Sequence, residues 1–166
     1  MSEFVTRFGS LGDHEKGHIE IINDNPKYYV FSNVFEVANA SKPYEKVAVA
    51  KNLEYVIEAI RAEGDSGWMA ASHDEFCIVM DGEVQVELVK LDHPDAVAPA
   101  DKDGTVAVEG TPQGRRMGAI RLRRGHQALL PKGAAYRFSS AQPAVLIQQT
   151  IVGDLTIQKW AEICFN

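Results

Sequence analysis

The chain has 166 residues, 45% hydrophobic and 24% charged, with a formal net charge of -6. Those values fit one globular domain with a sizeable core and exclude a disordered chain. The acidic balance argues against general nucleic-acid affinity, and no apolar run approaches the roughly 18 residues of a membrane-spanning helix. The opening MSEFVTRFGS lacks a basic-then-apolar leader pattern, so a cytoplasmic location is expected. Of the two cysteines, Cys77 lies inside an apolar run and reads as a buried thiol.

Residues 1–24 are polar, punctuated by Gly9, Gly12 and Gly17, and read as an arm. KYYVFSNVFEVA (27–38) is β-branched and aromatic, which predicts a strand. SKPY (41–44) marks a turn. Across 47–63 two periods compete: Leu53, Val56, Ile57 and Ile60 form a helical stripe, while Tyr55, Ile57 and Ala59 alternate as a strand. Propensity alone favours the helix. EFCIVMDGEVQVELVKL (75–91) places two apolar runs around Asp81-Gly82, a strong hairpin signal. Residues 92–118 are broken repeatedly by proline and glycine, with room for a short strand at Thr105–Val108. AIRLRRGH, QALLPKG and a final strand pair broken near Gly153-Asp154 follow. Eight or nine strands with at most one helix predict an all-β sandwich or barrel.

Three local clusters carry possible chemistry. HEKGH (14–18) spells the zinc-peptidase string, but that site needs both histidines on one stable helical face. Gly17 and the non-amphipathic flanks make the match accidental. Arg115, Arg116, Arg121 and Arg123 form a basic stripe, solvated or facing an acidic partner. In SHDEF (72–76), His73 and Glu75 are two apart and would share one side of a strand. Two ligands are too few for a working metal site, and spacing places neither His126, His93 nor His18 beside them.

Gly125-x5-Pro131-x-Gly133-x2-Tyr136-x3-Ser140 resembles the second motif of the cupin family, G-x5-P-x-G-x2-H-x3-N. Glu75-x6-Gly82 resembles the end of the first cupin motif. The resemblance spans about Val56 to Ile157 and implies a double-stranded β-helix, a jelly-roll barrel, with an N-terminal arm. It divides the chain into an arm and leading strand over 1–40 and one barrel over 41–166. It also tips the C-terminal half of 47–63 towards strand. Cupins hold a metal with two histidines and a glutamate from the first motif and a histidine from the second. Here the first two positions fall on Trp68 and Ala70, or on Met69 and Ala71 at the one-shorter spacing, and the last falls on Tyr136. The resemblance therefore implies a barrel that binds no catalytic metal, with Trp68, His73, Glu75 and Tyr136 lining the former pocket. The Tyr136 hydroxyl is expected to hydrogen-bond a buried acceptor such as Glu75.

INDNPKYYVFSNVFEVA, AIRAEG, GWMAASHDEFCIVMDGEV and TIQKWAEICFN are similar to the small subunit of the two-component hydroquinone 1,2-dioxygenase family. That likeness implies a hetero-oligomer in which a larger cupin-like subunit carries iron(II) and cleaves a phenolic substrate. Two alternatives remain open. One is a stand-alone dioxygenase with a shifted site from His73, Glu75 and His126 or Tyr136. The other is a non-catalytic barrel holding a small aromatic against Trp68, Tyr136 and Phe138.

Overall fold

The computed structural model describes residues 9–16 and 33–159. The expected strand at 27–32, the end of HEKGH and the tail beyond 159 lie outside the described residues.

Val34–Asn39 is a short helix, α1, not the predicted strand continuation. Asn33 caps it, its side chain accepting a hydrogen bond from the Phe35 N–H at 3.0 Å. The apolar alternation misleads because Phe35, Val37 and Ala38 all bury against the outside of the barrel. After the SKPY turn come β1 (Lys46–Asn52) and β2 (Tyr55–Ala71). They pair antiparallel through a two-residue turn whose Leu53 has a φ of 57°. The helical stripe is thus accidental, since Leu53 sits 72% exposed at the turn. Alternation is blurred because α1 covers the outer face of the pair as well, burying Val47 and Ala59.

Two strands are far longer than the sequence punctuation suggests. β2 runs for 17 residues, and β8 (Ala134–Ile151) runs for 18. β2 shifts register between Ala62 and Gly64 and again between Asp65 and Trp68, and bulges of this kind bend a strand. Each therefore serves two layers. In the first, β2 residues 55–62 pair with β1 on one side and with β8 residues 144–151 on the other. That layer continues through β3 (Glu75–Asp81) to β7 (Gln127–Leu130), with the two-residue β9 (Thr156–Ile157) parallel to β1. In the second, β2 residues 64–71 lie between β5 (Thr105–Val108) and β8 residues 134–140. β4 (Glu83–Leu91) and β6 (Gly114–Arg123) complete it. A four-residue helix, α2 (Pro94–Val97), lies in the polar excursion after β4.

Asp81-Gly82 is a corner rather than a hairpin. β3 and β4 do not pair with each other; both run antiparallel to β8, one on each half of it. Gly82 has a φ of 77°, and a Cβ there would approach the Ala144 Cβ to 2.7 Å. Two strands crossing a corner together need this close approach, and only glycine permits it. The Pro131 corner likewise crosses the layers, from β7, which pairs with β3, to β8 residues 134–139, which pair with β4. The facing layers enclose one core, which includes Ile60, Leu146 and Val79 from the first and Phe138, Val86 and Leu122 from the second. No helix among the described residues is long and apolar enough to cross a membrane.

Candidate functional site: a polar cluster inside the barrel

Glu75 opens β3 directly after the Ser72–Asp74 turn, and its side chain enters the barrel with 1% exposure. Tyr136 reaches it from β8, and the phenol donates to one Glu75 oxygen, Oε2, at 2.7 Å. The other, Oε1, accepts the Thr105 hydroxyl of β5 at 2.6 Å. Gln148, on the far half of β8, donates from Nε2 to the Tyr136 oxygen at 2.8 Å. Its Oε1 is buried without a partner among the described residues. The expected Tyr136–Glu75 hydrogen bond is present. Burial, followed by the charge and hydrogen bond of Glu75, pushes the Tyr136 phenol well above its ordinary range, so the group stays protonated.

A second buried polar pair ties β1 to β2. Lys46 Nζ stands 3.2 Å from Glu58 Oε2, and both side chains are almost fully enclosed. Thr156 of β9 donates to the other Glu58 oxygen at 2.7 Å. Sequence reasoning missed this pair, along with Thr105 and Gln148. The available signal was weak: Glu58 occupies an inward position between Val56 and Ile60, and Gln148 interrupts an otherwise apolar strand.

The other expected pocket residues are not gathered here. His73 turns to Thr150, with Nε2 and the hydroxyl oxygen 3.0 Å apart, while the Glu75 carboxylate bonds Thr105 and Tyr136 instead. It precedes the first residue of β3, so the strand alternation that would align it with Glu75 does not apply. Trp68 packs with Ala70, Leu91 and Ala135, apart from the core cluster that holds Tyr136, and Arg137 stacks over its ring at 4.9 Å. The inward residue of β2 at this level is Met69, paired with Tyr136. The one-shorter spacing is therefore the one that counts, and the positions beside Glu75 are Met69 and Ala71. His126 lies exposed in the β6–β7 turn, where Nδ1 accepts from the Arg123 N–H. His93 is exposed at the start of α2. His14 to Lys16 are not helical, which removes the peptidase geometry. Arg121 and Arg123 both pair with Glu83, at 3.4 and 2.8 Å, on the outer surface.

The donor set does not fit a first-row metal. Met69 and Ala71 offer no nitrogen or oxygen side-chain donor, the phenol stays protonated, and both carboxylate oxygens of Glu75 already accept hydroxyl protons. No group of three or more His, Cys, Asp or Glu that could hold a metal occurs among the described residues. The arrangement is a buried hydrogen-bonded cluster that ties β3, β5 and both halves of β8 together.

This is an all-β cupin jelly roll with a buried tyrosine–glutamate hydrogen bond in its interior. Neither a protein-family model nor a curated protein matches the chain. Solved structures do. Hydroquinone 1,2-dioxygenase from Sphingomonas sp. TTNP3, with 4-hydroxybenzoate bound, matches at 59% identity over 98% of both chains, with a TM-score of 0.88. Hydroquinone 1,2-dioxygenase PnpCD, in complex with Cd2+ and 4-hydroxybenzonitrile, matches at 53% identity over 99% of this chain and 98% of that one, with a TM-score of 0.86. The chain belongs to the hydroquinone 1,2-dioxygenase family. PnpCD in complex with Fe3+ also matches through another, longer chain: 11% identity, 85% of this chain against 38% of that one, TM-score 0.58. That second likeness is one of fold.

Proposed function

We propose that this chain is the small, metal-free subunit of a hetero-oligomeric hydroquinone 1,2-dioxygenase. The reaction is ring cleavage of hydroquinone with dioxygen to 4-hydroxymuconic semialdehyde. A larger cupin-bearing subunit would hold iron(II) and the phenolic substrate, while this barrel shapes and stabilises the assembly. The assembly would work in the cytoplasm, with residues 41–166 forming the single barrel. The carrying observation is the 59% identity over 98% of both chains with a hydroquinone 1,2-dioxygenase. The chemistry of the Glu75 cluster agrees, because each carboxylate oxygen is already engaged by a hydroxyl donor, from Tyr136 and Thr105, and no imidazole stands beside it among the described residues.

The test is co-expression with the larger subunit, followed by metal analysis and a ring-cleavage assay on the complex and on each chain alone. Iron should follow the larger chain, and the isolated small chain should neither bind stoichiometric iron nor cleave hydroquinone. Tight stoichiometric iron together with ring cleavage by the small chain alone would refute the reading and revive a stand-alone enzyme.

A further inference from the structure

Gln148 is fully enclosed, yet only half of its amide is engaged. Nε2 donates to the Tyr136 oxygen at 2.8 Å and stands 3.4 Å from the Thr105 hydroxyl. Oε1 meets no donor among the described residues. Turning the amide over does not cure this. The Tyr136 and Thr105 hydroxyls both give their protons to Glu75, so each would present only lone pairs to Oε1. A buried acceptor left without a donor carries the cost of its desolvation, and such groups are rare in folded proteins.

The strand register shows what stands beside it. Gln148 of β8 lies directly opposite Glu58 of β2, and both are wholly buried. Side chains paired in this way share a face and start about 4.5–5.5 Å apart at Cβ. Glu58 takes one N–H of Lys46 at 3.2 Å on Oε2 and the Thr156 hydroxyl at 2.7 Å on Oε1. An ammonium carries three N–H donors, and Glu58 is the acceptor Lys46 meets among the described residues. An acceptor in need of a donor thus lies next to a cation with donors unengaged. Lys46 also lines a cleft of about 410 Å³ between Tyr44, Trp68 and Ile157, as does Met69, the strand partner of Tyr136. The cleft floor is therefore one side chain away from the Gln148–Glu58 pair.

We propose that a structural water sits between Gln148, Glu58 and Lys46, joins the two buried polar clusters into one network, and exchanges through this cleft. It donates one proton to Gln148 Oε1 and the other to Glu58, and accepts from Lys46 Nζ. About three hydrogen bonds is the usual complement of an internal water, and proteins hold about one such water per 27 residues. The site requires a small neutral molecule that both donates and accepts. A cation would be repelled by Lys46, and an apolar occupant would leave Oε1 unpaired. The completed network runs from Thr156 through Glu58, the water, Gln148 and Tyr136 to Glu75 and Thr105, and so ties β9 and β2 of one layer to β5 of the other.

A crystal structure of the full chain, alone or in its complex, at a resolution that orders internal solvent is the direct test. A solvent peak should stand about 2.7–3.2 Å from Gln148 Oε1, with Glu58 and Lys46 as its further partners. An Oε1 packed against carbon, or an amide turned over with no solvent beside it, would overturn the site. Thermal unfolding reads the coupling independently. Tyr136→Phe should lower the melting temperature of a Lys46→Met, Glu58→Leu chain by several degrees less than it lowers that of the wild type. That background removes two of the water's three partners, so Gln148 is no longer held in place for the phenol. An equal fall in both backgrounds would overturn the bridge, because sites with no shared partner add.

Discussion

Replacing Tyr136 by phenylalanine isolates one hydroxyl of the buried polar cluster. The ring stays and leaves no cavity, so the change measures the hydroxyl alone. That hydroxyl donates to Glu75 at 2.7 Å and accepts from Gln148 at 2.8 Å. A hydrogen bond to a charged group is worth about 1.5–3 kcal/mol, and a neutral one about 1 kcal/mol. Gln148 Nε2 keeps only the weaker Thr105 contact at 3.4 Å, while its Oε1 is already unpartnered among the described residues. The expected loss is about 2.5–4 kcal/mol. In a chain of this size each kcal/mol moves the melting temperature by about 2–4 °C, so the fall should be roughly 5–15 °C. Thermal and urea unfolding measure it directly. The pH dependence supplies an independent check. The folded pKa of Tyr136 lies above its ordinary 10.0, so stability from keeping it neutral is fully present below pH 10. It is lost as pH rises through the higher folded value. Phenylalanine cannot ionise, so the gap between variant and wild type should narrow above pH 10. A melting change under about 2 °C, or a gap independent of alkaline pH, would refute the buried network as described.

The buried Lys46–Glu58 pair should behave asymmetrically. Lys46→Met alone leaves Glu58 enclosed with Thr156 as its remaining hydrogen-bond donor and should cost about 3–5 kcal/mol in urea unfolding, whereas Lys46→Met with Glu58→Leu should recover most of that loss. Cys77 is fully buried, and burial pushes its thiol up to about 11 from an ordinary 9.0. Stability from keeping that thiol neutral is present below pH 9 and lost as pH rises through about 11. At pH 8 a thiol reagent should label Cys77 only as the chain unfolds, read by mass spectrometry of its peptide.

Much of the barrel was legible because its punctuation is local. Gly125 and Gly133 hold φ values of 82° and 78°, and such turns show in a sequence wherever glycine is required. The alternation of Val84, Val86 and Leu88 marked a strand with one buried face, and Thr105–Val108 was visible as a short apolar island. Where both faces of a strand are covered, as under α1, alternation fades and the 47–63 stretch mimicked a helix. Asp81-Gly82 misled for a related reason: the dipeptide specifies a positive φ, but not whether the flanking strands pair with each other or with a third.

The sequence by itself therefore determined the class of fold and which residues, Met69, Ala71, Glu75 and Tyr136, stand at the spaced motif positions. Those follow from residue identity and fixed spacing along one chain. Tertiary structure decided which residues meet. Only the packing of β3, β5 and both halves of β8 brings Glu75, Thr105, Tyr136 and Gln148 together, across separations of up to 73 residues between Glu75 and Gln148. It also sent Trp68 outward, turned His73 to Thr150 and hid an ion pair between β1 and β2. Side-chain direction at a bulge or a corner depends on register, and register is a property of the assembled sheet rather than of any one strand.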